Sequence, residues 1–350
     1  MDTLYRLAIN GYGRIGRSVL RALVESDLHD RMQVVAINEP ADSETLCHLT
    51  RFDSTHGRFP GEVDIVAGNL CINGQSIQLS HEHDVAAIRW PEVDLVLECS
   101  GAFTDRESAQ WHLQNGAKKV LFSQPALEGD VDKTVVFGVN HQDLAVTDTI
   151  VSNASCTTNG SVPILKLIND TYGIECATIT TIHSAMNDQP VIDAYHHTDL
   201  RKTRSASQSM IPVDTGLAKG IERLLPELSG LLSAQGLRIP TVNVSAMDVS
   251  IVLKQSVTVE AVNAVLQAYA ASKPEIIGFN DMPLASIDFN HDARSCIVDG
   301  TQTRVSGGRL LKLFIWFDNE WAYANRMLDV AAHMQALTLA KNNNSMEKAS

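Results

Sequence analysis

Residues 151–159, VSNASCTTN, set one thiol, Cys156, among serines, asparagines and threonines. A free thiol of pKa ~8.5 is only a few per cent ionised at neutral pH, so a cysteine that attacks a carbonyl needs a thiolate-stabilising site or a base. If Ser155 caps a helix running to about residue 171, Cys156 falls in its first turn, where unpaired N–H groups and the helix dipole favour the anion. Pro163 works against this placing, because an internal proline removes a helix hydrogen bond, and the helix is expected to start later or to bend there. Residues 175–183, ECATITTIH, are rich in β-branched side chains and read as a strand. A helix of about 16 residues travels ~24 Å and a strand of about ten returns ~30 Å, so His183 is expected within reach of Cys156. An imidazole there would stabilise the thiolate as imidazolium and exchange a proton with the reacting oxygen or with water. Taken singly, a lone cysteine reads as a small buried hydrophobe and a lone histidine as an ordinary core or surface group.

A second constellation changes that reading. Asn10-Gly11-Tyr12-Gly13-Arg14-Ile15-Gly16 lies between an expected strand and an expected helix, the context a GxGxxG dinucleotide motif requires. Gly11 suits the tight turn, Gly13 the approach of a pyrophosphate to backbone, and Gly16 close helix–strand packing, with the diphosphate at the helix N-terminus. Glu39 ends the next expected strand, where a carboxylate accepts from the adenosine ribose hydroxyls and repels a 2′-phosphate, so the expected cofactor is NAD rather than NADP. Thiol and nicotinamide together suggest aldehyde oxidation: the thiol adds to the aldehyde, hydride leaves for NAD, and a thioester remains. A thiol hydrolase would use the same Cys–His pair without a nucleotide fingerprint. A non-catalytic NAD-binding or redox-sensing protein would use the fingerprint without the pair.

These residues need elements to hold them. Short apolar runs at Tyr5–Asn10, 33–38, 94–99 and 118–122 alternate with helical patterns at 15–25 and 106–115, which implies a parallel sheet with crossover helices. Residues 62–79 read as a small antiparallel insertion turning at Asn73-Gly74. From Cys156 onward longer β-rich segments at 177–184, 241–253, 284–288 and Leu310–Phe317 suit a mixed or antiparallel sheet, and a helix is expected from Trp321 to about residue 337. The polar stretch 341–350 reads as a frayed tail. The 350 residues suffice for two domains. A net charge of -13 argues against nucleic acid as a partner, so any anionic ligand must be held by a few placed cations. Six cysteines without a CxxC pair suggest neither a disulfide framework nor a zinc site. No apolar run reaches the ~18 residues of a membrane helix, and the N-terminus shows no apolar leader, so a cytoplasmic protein with no membrane partner is expected.

The motifs NGYGRIGR, SNASCTTN, SQSMIPVDTG and DNEWAYANRMLD, with a strand ending in His183, together resemble the glyceraldehyde-3-phosphate dehydrogenase superfamily over residues 4–337. HSAMNDQ (183–189), DFNHD (288–292), VDGTQTRVSG (298–307) and Trp321 resemble its branch acting on D-erythrose 4-phosphate. The resemblance implies a Rossmann-type doubly wound parallel sheet plus an α+β catalytic domain with a mixed or antiparallel sheet. The implied division is 1–155 with 321–340 for NAD, and 156–320 for catalysis. It implies Cys156 as nucleophile and His183 as base, with Arg14 and Ile15 contacting the NAD diphosphate, Ser100 and Ser123 lining the cofactor groove and Asn319 on the nicotinamide carboxamide. Ser155, Thr157, Thr215, Gly216 and Arg238 would contact substrate, with further charge from Arg201, Lys202 or Arg204, whichever points inward. The implied substrate is a small phosphorylated aldose, the assembly a homotetramer, and the role one in pyridoxal 5′-phosphate synthesis. The phosphorylating triose reaction is the alternative. Where glycolytic members carry threonine three residues after the catalytic histidine, this chain has Met186. Gly160 and Ala322 are two lesser departures, and neither removes a proposed chemical group.

Overall fold

A computed structural model describes residues 4–196 and 199–347, with side chains to residue 341. The chain divides into two compact units, one formed by the N-terminal stretch through Ser155 with the chain from Ala324 onward, the other by Cys156–Tyr323.

The first unit is built on a nine-stranded sheet. Its order is Lys133–Thr134, Ile150–Ser152, Val120–Phe122, Leu95–Glu98, Tyr5–Asn10, Met32–Asn38, Gln75–Ser80, Asn69–Ile72, Val63–Val66. The first seven run parallel; Asn69–Ile72 then runs antiparallel to them, and Val63–Val66, antiparallel to it in turn, follows their direction again. The parallel strands are apolar runs because crossovers cover both faces, and Leu7, Ile9, Leu95 and Leu97 are fully buried. The insertion at 62–79 is larger in consequence than its sequence suggests. It turns twice, at Ala67-Gly68 and Asn73-Gly74, and its last strand pairs parallel with Met32–Asn38, extending the main sheet. Strand order reverses between Tyr5–Asn10 and Leu95–Glu98, the switch point at whose carboxyl ends such sheets bind ligands.

The second unit carries a mixed eight-stranded sheet whose central strands are Leu232–Arg238, Ile174–His183, Ser245–Leu253 and Leu310–Phe317. The His183 strand runs parallel to Leu232–Arg238 and antiparallel to Ser245–Leu253, so His183 lies opposite Arg238. Residues 284–288 form no strand: a 3-10 turn spans Ser286–Phe289, because the Asp288 carboxylate accepts from the Ala285 N–H at 2.8 Å and closes the backbone on itself. The last helix spans Trp321–Glu347, so the expected tail is helical as far as 347, and 348–350 lie outside the described residues. Asp318 starts that helix, its Oδ1 accepting from the N–H groups of Glu320 and Trp321.

Candidate active site

Cys156 opens the helix Cys156–Tyr172, which carries Pro163 internally and neither starts later nor stops at it. Ser155 precedes the helix, and Ala154 before it is held at φ 55, a left-handed conformation uncommon in a residue with a Cβ. Helix and strand return as their lengths require: Cys156 Sγ stands 3.8 Å from His183 Nε2. The ring of His183, 8% exposed, is held from behind by the Ser184 carbonyl, 2.9 Å from Nδ1, and by Arg238 Nη1, 2.5 Å from the same nitrogen. These neighbours make opposite demands, since the carbonyl needs a proton from Nδ1 and the guanidinium offers one. With the proton on Nδ1 the imidazole can accept from the thiol; with it on Nε2 the imidazole donates toward sulfur or a reacting oxygen.

The expected thiolate–imidazolium pair is not what these surroundings favour. Burial pushes the Cys156 thiol up to about 11, against the opposing pull of Arg238 and the backbone N–H groups of Thr157 and Cys156. Burial, reinforced by the Arg238 charge, pushes His183 down to about 4. Both shifts favour the uncharged thiol and imidazole, an arrangement in which the sulfur loses its proton as it attacks.

The proposed substrate contacts fall into two groups. Arg238 is brought to the pair, and its buried Nε has no partner among the described residues, which leaves a donor for an anion. Lys202 is tied at 2.8 Å to Asp188 in the loop following His183; burial opposes ionisation of that carboxyl, but the ammonium holds it below the usual carboxylate range. Arg204 turns to Asp193, with both side chains mostly exposed, and Arg201 is exposed. Thr215 and Gly216 lead into the helix Leu217–Leu224, whose Gly220 packs on Thr158 at the start of the Cys156 helix. Asn319 Oδ1 accepts from Ser184 Oγ at 3.0 Å and Ser245 Oγ at 2.8 Å. Met186 is 46% exposed, so its thioether does not serve as core packing.

In the first unit Gly11 takes φ 83, and a Cβ on it would lie 2.3 Å from the Ser100 backbone; Gly16 packs as closely on the Gly11 carbonyl. Gly13 differs, with no atom within 4 Å of where its Cβ would be. That open side, beside the first turn of the helix Arg14–Glu25, fits a diphosphate approaching backbone N–H groups. Ile15 lies in that turn. The Arg14 side chain instead pairs with Asp53. Glu39 Oε2 accepts from the Tyr12 N–H at 2.8 Å, fixing a carboxylate beside the loop.

The contrast between the glycines is testable. Gly11→Ala is expected to destabilise the protein by about 3 kcal/mol, from left-handed strain plus a backbone clash. Gly13→Ala should unfold in urea like the wild type yet bind NAD roughly tenfold or more weakly by calorimetry.

Sequence reading missed Glu98, wholly buried at the switch point. It accepts from Asn10 Nδ2 at 2.6 Å, from Ser100 N–H at 2.8 Å and Oγ at 2.5 Å, and stands 2.9 Å from His112 Nε2. His112 Nδ1 in turn accepts from Trp90 Nε1, which leaves the Nε2 proton for Glu98. Ser123 lies on the neighbouring strand end, its N–H on the Glu98 carbonyl. A lone acidic residue closing an apolar strand, LVLE, was the available signal.

Two family models match the chain. The one described as glyceraldehyde 3-phosphate dehydrogenase, NAD binding domain, covers residues 5–106. The one described as glyceraldehyde 3-phosphate dehydrogenase, C-terminal domain, covers residues 155–319.

Proposed function

The chain belongs to the glyceraldehyde-3-phosphate dehydrogenase family and is an NAD-dependent dehydrogenase, and from that premise we propose that it oxidises D-erythrose 4-phosphate to 4-phospho-D-erythronate. The observation that carries the chemistry is the thiol 3.8 Å from an imidazole at the opening of a helix. The Cys156 sulfur bonds to the aldehyde carbon while its proton passes to His183 Nε2 and on from there to the carbonyl oxygen, which becomes the hydroxyl of a thiohemiacetal and leaves the imidazole neutral. NAD supplies the hydride acceptor. As hydride leaves the substrate carbon, His183 takes the hydroxyl proton and the carbon collapses to a thioester. Once that proton has left His183 for solvent, the imidazole takes a proton from water as the water oxygen attacks the thioester; the C–S bond breaks, the sulfur takes the proton back from Nε2, and the acid leaves as carboxylate. Asn319 binds the nicotinamide carboxamide, Arg238 and Lys202 supply positive charge for the substrate, and the Thr215-Gly216 turn and the first-turn N–H groups of the Cys156 helix contact its oxygens.

The four-carbon substrate rests on Met186. A thioether cannot donate to a phosphate, and losing a hydrogen bond to a charged group costs about 1.5–3 kcal/mol, roughly ten- to a hundredfold in affinity. Weak anion binding beside the thioester also favours water over inorganic phosphate as the second nucleophile. The family reading carries with it a homotetramer and a role in pyridoxal 5′-phosphate synthesis.

Steady-state kinetics with both aldehydes, with and without phosphate, test the assignment. The tetrose is expected to be preferred and to need no phosphate; a triose preference with obligatory phosphate would replace this reading with the phosphorylating one. Met186→Thr should raise kcat/KM for the triose by about ten- to a hundredfold.

A further inference from the structure

In the reading above Asn319 meets the nicotinamide carboxamide, and its own amide is held by two serines to which no role has been given. We propose that Ser184 and Ser245 are positioning residues that lock the Asn319 amide with its oxygen turned inward, so that it offers only N–H donors and recognises the carbonyl oxygen of the carboxamide. The inference rests on the Asn319 assignment, and its test separates the two.

The hydrogen-bond directions are fixed by counting protons. The Ser184 N–H donates to Ser245 Oγ at 3.1 Å, so one lone pair of that hydroxyl is used and its proton has to find an acceptor. The acceptor is Asn319 Oδ1 at 2.8 Å, and the same oxygen takes the Ser184 hydroxyl at 3.0 Å. Both lone pairs of the amide oxygen are then occupied. Turning the amide over would set N–H groups against these hydroxyls and leave two buried O–H groups without acceptors. Ser184 is 0% and Ser245 1% exposed, so water cannot make up that loss. Val244, immediately before Ser245, is held at φ 64, a costly conformation for a β-branched residue that persists only where its surroundings over-determine it. The strand therefore begins from a strained residue that sets where the Ser245 hydroxyl stands. Ser184 has a second duty, since its carbonyl faces His183 Nδ1 at 2.9 Å. One residue thus orients the base through its backbone and the amide through its side chain.

Calorimetry with NAD and with ADP-ribose, the same dinucleotide without its nicotinamide, tests the assignment in the full-length protein. Ser184→Ala and Ser245→Ala are each expected to raise the NAD Kd about three- to tenfold. ADP-ribose affinity and the rate of thiol alkylation by iodoacetamide should stay at the wild-type values, which a general loosening of the fold would not allow. Asn319→Asp keeps an acceptor for both hydroxyls but presents no donor, and should weaken NAD while sparing ADP-ribose. If Asn319→Asp weakens NAD and neither alanine variant does, the serines do not position the amide. Equal losses for NAD and ADP-ribose in the alanine variants would also overturn it. If Asn319→Asp binds NAD normally, the Asn319 assignment falls, and the clamp with it.

Discussion

Cys156→Ser is expected to lower kcat/KM for aldehyde oxidation by on the order of 10⁴-fold or more, with NAD binding unchanged. A hydroxyl holds its proton far more tightly than a thiol does, so serine needs a strong base at the moment of attack. In hydrolases that use serine, a carboxylate behind the imidazole stabilises the imidazolium that forms. Here the group behind His183 is the Arg238 guanidinium, 2.5 Å from Nδ1, and it opposes that charge. Even the thiol is pushed up to about 11, so the site has little capacity left to ionise an alcohol. Pre-steady-state formation of NADH absorbance measures the loss, and calorimetry with NAD checks that the first unit is intact. A serine variant keeping more than about 1% of the activity would place the nucleophile elsewhere.

Much of this site is legible in the sequence because its key distances follow from element lengths. The helix from Cys156 and the strand to His183 are consecutive, so their lengths bring the two residues within reach, and the structure sets them 3.8 Å apart. The glycine motif is likewise local, and Gly11 and Gly16 pack as its spacing requires. What escaped are contacts between residues far apart in the chain. Asn10 meets Glu98 over a separation of 88 residues, and Ser184 meets Asn319 over 135, with no period or motif linking them. The helix Val259–Ser272 escaped for a different reason. Its apolar and small residues surround it too evenly for a sharp polar face, although Thr258 caps it and Val262, Leu266 and Ala270 form its buried stripe. The electrostatic surroundings of the pair escaped as well. A helix N-terminus and a neighbouring histidine both argue for thiolate, but burial of both groups and a guanidinium behind the ring outweigh them, and neither is visible in a local motif.

His183→Asn is expected to cut kcat/KM by about 10²- to 10⁴-fold, and its pH dependence separates a neutral pair from an ion pair. With the thiol at about 11 and the imidazole at about 4, both groups of the free enzyme are uncharged between those limits. The thiolate fraction then rises about tenfold for each pH unit through the neutral range, and alkylation by iodoacetamide should climb with it. An ion pair would instead ionise sulfur in mildly acidic solution and give an alkylation rate flat from about pH 6 to 8. In wild-type turnover the imidazole must be unprotonated to take the thiohemiacetal proton. Its folded value lies below the ordinary one, so protonation removes the base, and the acid limb belongs near pH 4 rather than 6.5. The asparagine variant loses that limb because it has no base to protonate, while its alkylation rate still climbs with pH, since burial and the helix N–H groups remain. An alkylation plateau in the wild type that disappears in the asparagine variant would show that the imidazole ionises the thiol before substrate arrives, and the proton would then leave sulfur ahead of the attack rather than during it.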